Sequence, residues 1–436
     1  MTDRSGTDTY VPGHGDASYS VHHYDLHLGY KVDGNRLDGE ATLRCEAHQD
    51  LTAVELDLHS LRPSKVVVDG RSARHQHRRD RLVVRPAQTI RAGERFEVRV
   101  RYAGNPRPVP SRTLGSAGWE ELSDGVLVAS QPHGASSWFP CNDRPDDKAT
   151  YLLTITAPSD YQVAFTGERV ERRRGASNIT WMYEQKSPMA TYLAAVQIGR
   201  YDVTELDAPV PMRSLTPRPS DDEGYAAAFG AQPQMMDFFQ EVFGPYPFPS
   251  YTCVITDDEL EIPLEAQGMS TFGRNFMADD WDCVRLVAHE MAHQWFGNAV
   301  TLGRWRDIWL HEGFACYAEW LWSEESGAAP TQDRVEQHYT RLSELAQDVV
   351  IGDPGPALMF DDRVYKRGAL TLHALRSEVG DETFFGLLQS WVSDHRGGTV
   401  STADFVAHAS QAAGRDLADL FESWLYSERL PPLPGR

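Results

Sequence analysis

The chain has 436 residues, of which 41% are hydrophobic and 24% are charged, and its formal net charge at pH 7 is -21. This length predicts two or three domains with sizeable cores, and the lack of any apolar run of about 18 residues argues against a membrane span. The polar N-terminus has no apolar h-region, which argues against a secretory signal. Five cysteines without a CxxC pair argue against a disulfide framework and favour a cytoplasmic location.

The negative charge is concentrated in the second half of the sequence. Residues 1–205 contain 26 basic and 27 acidic residues, whereas residues 206–436 contain 16 and 36. A surface this acidic repels nucleic acid and anionic membranes, so we expect neither as a partner. It attracts cations such as a metal ion or a free amine, although acidity that serves only solubility is an equally good interpretation.

The first half of the sequence predicts an antiparallel, sandwich-like β-domain. Polar and apolar residues alternate over short segments, and turn-forming pairs such as Asp33-Gly34 separate these segments. The predicted strands cover 21–32, 39–47, 53–61, 80–86, 95–102, 125–130, 148–158, 178–185 and 191–199. We therefore expect an N-terminal β-domain at residues 1–206.

The pattern changes after this segment. Four prolines between residues 207 and 223 exclude a helix interior there. From residue 224 helical spacing dominates, apart from one short predicted strand at 250–256. The predicted helices include 281–297, 307–326, 331–348, 364–379, 381–394, 402–413 and 416–427. We expect a second, mainly helical domain at residues 207–436, and hence a multidomain α+β fold.

The predicted helix 281–297 contains an HExxH motif, His289-Glu290-Met291-Ala292-His293. Its apolar residues recur at helical spacing, which predicts that His289 and His293 point the same way. Two imidazoles so placed can share one Zn²⁺. Glu290 then lies beside the metal rather than on it, which is the position of a general base for an activated water.

A catalytic zinc needs a third protein ligand. Glu312 lies 19 positions after His293 on the next predicted helix, and a His₂Glu set in this order is typical of thermolysin-like hydrolases. The sequence therefore predicts one zinc per chain. Two surface histidines and a surface glutamate are the alternative interpretation.

The segments HEMAHQWFGNAV and WLHEGFACYAE resemble the aminopeptidase N family of zinc metallopeptidases, the gluzincins, which includes leukotriene hydrolase. SSWFPCNDRPDDKATYLLTI is similar to a stretch of that family's N-terminal β-domain, and VYKRGALTLHAL is similar to one of its helices. The resemblance covers nearly the whole chain. It implies a thermolysin-like catalytic domain, peptide substrates with a free N-terminal amine, and Tyr365 as the donor to the oxyanion.

The resemblance also implies two substrate-binding residues, with departures. IPLEA stands where the family has GxMEN, so Glu265 is kept as the group that binds the substrate's α-amine, whereas the Gly and the Asn are lost. Glu259 and Glu261 are nearby alternatives. Gln131 stands in place of a substrate-lining Gln-x-Glu whose acid is missing.

Two further positions adjoin Glu312. His311 precedes it where the family has Asn. Glu319 follows two helical turns later on the same face, where it would either orient a ligand histidine or be a plain surface residue. Longer family members continue with a helical domain that covers the site. This sequence ends at SERLPPLPGR, so we expect a short form whose cover is absent or is supplied by a partner subunit, with a homo-oligomer as one possibility.

Together these features predict a cytoplasmic zinc aminopeptidase. The zinc would polarise the scissile carbonyl and activate water, and Glu290 would move the water's proton to the leaving amine. Tyr365 would stabilise the oxyanion, and Glu265 would pair with the substrate's ammonium group. The alternatives are a zinc endopeptidase or an epoxide hydrolase of the same fold, and a catalytically silent peptide-binding protein.

Overall fold

The computed structural model describes residues 8–434, so residues 1–7 and 435–436, at the outer ends of the two predicted domains, lie outside it. Among the described residues, strands dominate up to Gly199 and helices dominate further along the chain. This arrangement confirms the predicted fold class. In the described part of the chain, no helix is both long enough and apolar enough to cross a membrane.

The N-terminal half consists of strands with alternating buried and exposed residues, as the period-two pattern predicts. These strands are β1 (Tyr19–Lys31), β2 (Arg36–Ala47), β3 (Val54–Asp57), β4 (Arg62–Val68), β5 (Arg71–Ser72), β6 (Arg74–Arg78), β7 (Arg81–Arg85), β8 (Arg95–Gly104), β9 (Val109–Ser111), β10 (Gly115–Leu122), β11 (Gly125–Ala129), β12 (Ala149–Pro158), β13 (Gln162–Phe165), β14 (Glu168–Arg174), β15 (Asn178–Met189) and β16 (Val196–Gly199).

These strands form three sheets. The largest has the order β14-β15-β12-β1-β2-β8-β4-β5, and the others are β13-β16-β11-β10-β9 and β3-β7-β6. Pairing is antiparallel except between β1 and β12, which run parallel. More than a hundred residues separate these two strands along the chain, which leaves ample length for a parallel connection. The predicted strand 191–199 is wrong in its first part, because Thr191–Leu193 form a short 3₁₀ helix.

The C-terminal half contains a five-stranded sheet, a two-stranded sheet and helices. Its strands are β17 (Tyr201–Leu206), β18 (Met212–Pro217), β19 (Tyr251–Thr256), β20 (Leu264–Ala266), β21 (Met269–Gly273), β22 (Thr301–Leu302) and β23 (Thr399–Val400). Its helices are α1 (Asp222–Phe229), α2 (Gln232–Phe243), α3 (Trp281–Ala292), α4 (Trp309–Glu325), α5 (Thr331–Glu344), α6 (Asp362–Val379), α7 (Asp381–His395), α8 (Thr402–Ala413) and α9 (Ala418–Phe421), which continues as a π-helix over Glu422–Tyr426.

Strand β17 lies before the predicted boundary between residues 206 and 207, yet it pairs with β18 at the edge of the sheet of order β17-β18-β19-β21-β20. The proline-rich segment 207–223 thus contains a strand whose residues are mostly buried. Pro217 is the last residue of that strand, a position where the missing backbone donor is tolerated. The domain division at 206/207 stays a prediction.

Helices α4 and α6 cross at two glycines. A Cβ atom on Gly313 would lie 2.8 Å from Gly368 Cα, closer than real contacts allow. Two residues without side chains therefore let the helix backbones touch. This contact brings Glu312 on α4 and Tyr365 on α6 to the same side of the helix pair.

Lys148 links the two halves next to the helix that carries the HExxH motif. Lys148 comes directly before β12, and its Nζ atom donates to Asn298 O at 3.1 Å, Ala299 O at 3.2 Å, Gly398 O at 3.2 Å and Thr301 Oγ1 at 2.9 Å. The loop after α3 is therefore fixed from the β-rich half.

Candidate active site

Helix α3 places both predicted histidines on one face. Asp280 caps the helix by accepting from Cys283 N at 2.9 Å, a favourable N-cap interaction. His289 lies in the last turn and His293 is the C-terminal cap. Because they are four residues apart, their rings lie together, with centroids 4.7 Å apart.

Glu312 reaches the same point from the first turn of α4. Its Oε2 atom lies 3.3 Å from His289 Nε2 and 3.4 Å from His293 Nε2. All three residues are buried. Burial alone would raise the pKa of Glu312. The neighbouring His293 and His289 have a larger, opposite effect, so the pKa of Glu312 is held below its usual range. The carboxylate is thus ionised and faces both imidazoles.

The donor atoms fit a tetrahedral zinc. Ligand atoms at about 2.0–2.1 Å from a tetrahedral zinc lie roughly 3.3–3.4 Å apart, which agrees with the separations of 3.3 and 3.4 Å between Glu312 and the two histidines. The opposite ring nitrogens are engaged: His289 Nδ1 lies 2.7 Å from Glu319 Oε1 and His293 Nδ1 lies 3.0 Å from Phe296 O. Since acceptors face both Nδ1 atoms, these carry protons and both Nε2 atoms face Glu312. Burial would lower the pKa of both rings, but Glu312 and the neighbouring carboxylates raise the pKa of His293 to about 10 and that of His289 above its usual value. A metal therefore binds both Nε2 atoms by displacing their protons.

Glu290 is the buried carboxylate beside this centre. It is 4% exposed, and among residues 8–434 its Oε2 atom has no hydrogen-bond partner. Burial raises the pKa of Glu290 to about 8, although a divalent cation at the neighbouring ligands would favour its ionised form. A buried, unpartnered oxygen is costly unless a water or a substrate uses it.

Glu265, on β20, is a second acidic group beside His293. Ligand atoms of Glu265, Glu290 and His293 all lie within 4.8 Å of one another. Gln131, just after β11 in the other half, donates from Nε2 to Glu265 Oε1. Burial raises the pKa of Glu265. The two residues predicted to bind substrate are therefore brought together, whereas the exposed Glu259 and Glu261 do not line the cleft.

Tyr365, on α6, packs against the first histidine. Its ring lies nearly parallel to that of His289, with centroids 6.0 Å apart and an interplanar angle of 17°. Burial and the nearby Glu312 and Glu265 raise the pKa of Tyr365 well above its usual value. Its phenol therefore stays protonated and can act as a donor.

All of these side chains line one cleft of about 280 Å³. The cleft also contains residues that the sequence analysis did not assign to the site, namely Ile262, Pro263, Arg285, Leu286, Phe360, Asp362 and Lys366. Arg285 could have been found from its spacing, because it lies four residues before His289 on the same helical face. An arginine on an amphipathic helix, however, is usually a surface residue.

Glu319 is buried, with 1% of its surface exposed. The interpretation of Glu319 as a plain surface residue is therefore wrong. Besides accepting from His289, Glu319 accepts from Arg285 Nη1 at 3.2 Å, and Lys366 Nζ lies 3.8 Å away. Burial would raise the pKa of Glu319, but Lys366 and His289 lower it to about 2. An ionised partner on Nδ1 fixes the ring orientation and makes Nε2 a stronger ligand.

His311 has a structural contact. Its Nε2 atom accepts from Leu302 N at 2.9 Å, so its ring holds the strand β22 against the start of α4. Burial lowers the pKa of His311 to about 3, and the ring stays neutral. His311 therefore packs next to Glu312 and does not line the cleft.

Comparison with known proteins agrees with the site. Residues 20–193 match the Peptidase M1 N-terminal domain, and residues 227–424 match the Peptidase family M1 domain. An M1 zinc metallopeptidase of Deinococcus radiodurans, solved with a Tyr-Ser-Ala substrate, superposes with a TM-score of 0.90 at 31% identity and covers 98% of each chain. A two-domain M1 zinc metallopeptidase bound to L-arginine gives the same TM-score of 0.90 at 30% identity, again over 98% of each chain.

The chain belongs to peptidase family M1, as the sequence resemblance predicts. Curated relatives include Aminopeptidase M1 of Arabidopsis thaliana, 29% identical over 72% of this chain, and Leucyl aminopeptidase of Saccharolobus solfataricus, 23% identical over 94%. The chain spans 38% and 54% of the lengths of these two relatives. The donor set and the family together assign zinc as the cofactor.

Proposed function

We propose that the protein is a zinc-dependent aminopeptidase that removes N-terminal residues from peptides. The observation that carries this proposal is the convergence, in one cleft, of three metal-type ligand atoms, a buried unpartnered carboxylate and a second carboxylate beside His293. The first two elements suit hydrolysis by an activated water. The third suits recognition of a free amine.

In this proposal His289, His293 and Glu312 hold the zinc. When bound, the zinc supplies polarisation of the scissile carbonyl and activation of water near neutral pH. Glu319 keeps His289 oriented through the hydrogen bond to Nδ1.

The other side chains bind the substrate and move protons. Glu290 accepts the proton of the attacking water at its free Oε2 and passes it to the leaving amine. Tyr365 donates its hydroxyl proton in a hydrogen bond to the developing oxyanion. Glu265 pairs with the substrate's ammonium group, and Gln131 fixes the position of that carboxylate.

Metal analysis and a panel of fluorogenic aminoacyl amides test this function. We expect about one zinc per chain and hydrolysis that a chelator abolishes and zinc restores. Glu290→Gln should keep the zinc and lower kcat by roughly 10²–10⁴-fold, since the base is not a ligand. Loss of zinc in Glu290→Gln, or full activity in that variant, would contradict the assignment.

We also propose a cytoplasmic location, supported by five cysteines that are all free thiols in the structure and so need no oxidising compartment. Assembly into a homo-oligomer stays a prediction.

A further inference from the structure

Arg285 lines the same cleft as Glu265. Arg285, His289 and His293 follow one another at four-residue spacing on α3, so they form a row with about 6 Å between neighbours along the axis. Glu265 lies against His293, at the C-terminal end of this row. A peptide whose ammonium is held by Glu265 would therefore direct its leaving part past His289 toward Arg285.

The guanidinium group of Arg285 has unused donor capacity. Nε donates to Asp282 Oδ1 and Nη1 donates to Glu319 Oε2, each at 3.2 Å. Within the described residues, Nη2 makes no hydrogen bond or ion pair. The side chain is 26% exposed, and Asp282 is 87% exposed, so water largely screens the charge of that aspartate. A flat, forked donor on a cleft wall suits a carboxylate.

The charges around Arg285 are two cations and two acids, and of the two acids only Glu319 is buried. Lys366 lies 3.8 Å from Glu319, so two cations share one buried carboxylate. Asp362, at the rim of the cleft, is paired with Arg341 at 3.4 Å. The carboxylates of Glu265 and Glu290 lie together beside His293. The two cations thus lie near Glu319, apart from the pair of carboxylates beside His293.

We propose that Arg285 binds a carboxylate carried by the residue that follows the scissile bond, and so selects the substrate; this inference rests on the aminopeptidase function proposed above. The carboxylate has two possible sources, the C-terminus of a dipeptide or an acidic side chain at the second position. The backbones of Arg285 and His293 are about 12 Å apart along the helix axis. An extended dipeptide spans about 7 Å, and hydrogen bonds of about 3 Å at each end extend this to about 13 Å, so a dipeptide has the length to reach from a group beside His293 to the side chain of Arg285.

Four peptides separate the two sources: Leu-Ala, Leu-Ala-amide, Leu-Asp-amide and Leu-Asn-amide. With the zinc-loaded wild type we expect kcat/KM for the carboxylate-bearing member of at least one matched pair to exceed that of its neutral partner by roughly 10–100-fold, the effect of one charge-assisted hydrogen bond. Preference within the first pair identifies the dipeptide C-terminus as the source, and preference within the second identifies an acidic side chain. The difference should lie mainly in KM, because the contact exists before the transition state.

Variants of Arg285 are compared by one ratio, that of kcat/KM for the carboxylate-bearing peptide to kcat/KM for its neutral partner. Arg285→Gln should reduce the ratio to about one, and Arg285→Lys should keep a preference for the carboxylate. Arg334→Gln is the matched control, since Arg334 stacks on Trp281 near the same helix but does not line the cleft, and it should keep the full ratio. If Arg285 only supports Glu319, its loss lowers both members of a pair equally and leaves the ratio unchanged, which would overturn the proposal.

The outcomes also distinguish this inference from the function on which it rests. Equal kcat/KM values within both pairs, from a wild type that hydrolyses all four peptides in a chelator-sensitive manner, overturn the role of Arg285 and leave the aminopeptidase function intact. Failure of the zinc-loaded wild type to hydrolyse any of the four overturns the proposed function itself.

Discussion

Replacing Glu319 by Gln tests the support of the proposed metal centre without touching a ligand. The carboxylate accepts from His289 Nδ1 at 2.7 Å and from Arg285 Nη1 at 3.2 Å, with Lys366 Nζ at 3.8 Å. Glutamine keeps the volume and one acceptor but loses the charge. Loss of such a partner behind a metal-bound histidine typically weakens metal binding by 10–100-fold, or about 1.4–2.7 kcal/mol.

Glu319→Ala should have a larger effect on folding. Both variants leave Arg285 and Lys366 without their shared buried counter-charge, a loss that typically costs about 3–5 kcal/mol. Glu319→Ala also removes the acceptor oxygen and leaves a cavity, so we expect it to lower the free energy of unfolding more than Glu319→Gln, as measured by urea denaturation of the metal-free proteins.

The zinc affinity of Glu319→Gln is measured by competition with a chromophoric chelator, with Glu325→Gln as the control. Glu325 lies on the same helix but is exposed, so its variant should bind zinc as the wild type does. Because the pKa of Glu319 is lowered to about 2, it stays ionised wherever zinc binds. The acid-induced loss of zinc should then follow protonation of the histidines. A wild-type zinc affinity in Glu319→Gln would refute this account of the site.

Two other substitutions probe the oxyanion donor and the link between the halves. Tyr365→Phe should lower kcat by roughly 10²–10³-fold in steady-state assays with little change in KM, because the hydrogen bond strengthens in the transition state; an unchanged kcat would show that Tyr365 only packs. Lys148→Met removes the hydrogen bonds to Thr301 Oγ1 and to three carbonyls, each of which keeps one other donor, and should lower the free energy of unfolding by about 1.5–3 kcal/mol. The exposed Lys186→Met is its control, and equal stability of the two variants would contradict the linking role.

The sequence predicts the metal-type cluster well because its geometry is local. His289 and His293 are related by one helical turn, and an HExxH helix followed at fixed spacing by Glu312 fixes which side chains meet. Helical periodicity likewise places Glu319 on the face of Glu312. Helical periodicity predicts the face of α4 on which Glu319 lies, but it does not predict which elements pack on that face. The burial of Glu319 results from the packing of α3 and α6 against α4.

Contacts between distant segments are not encoded in a local pattern. Gln131 meets Glu265 across 134 positions, and only the packing of the two halves brings them together. The prolines of segment 207–223 predict irregular structure. Strand β18 nevertheless forms there, because it pairs with β17 along one edge and with β19 along the other. The position of Arg285 in the cleft is unpredictable for a related reason. Its spacing to His289 is visible in the sequence, but the cleft wall at Arg285 also contains Glu319 and Lys366, which come from two other helices.

The most direct test of the central claim compares one peptide, free and N-acetylated, with the wild type and with Glu265→Ala. The account predicts that the wild type cleaves only the free peptide. We also expect Glu265→Ala to lower kcat/KM by an amount that corresponds to a loss of roughly 2–5 kcal/mol of transition-state stabilisation, the typical cost of truncating one partner of a buried charge pair. Cleavage of both peptides at equal rates by the wild type would contradict the claim and indicate an endopeptidase. If acetylation blocks cleavage but Glu265→Ala keeps wild-type activity, an acidic residue other than Glu265 binds the amine.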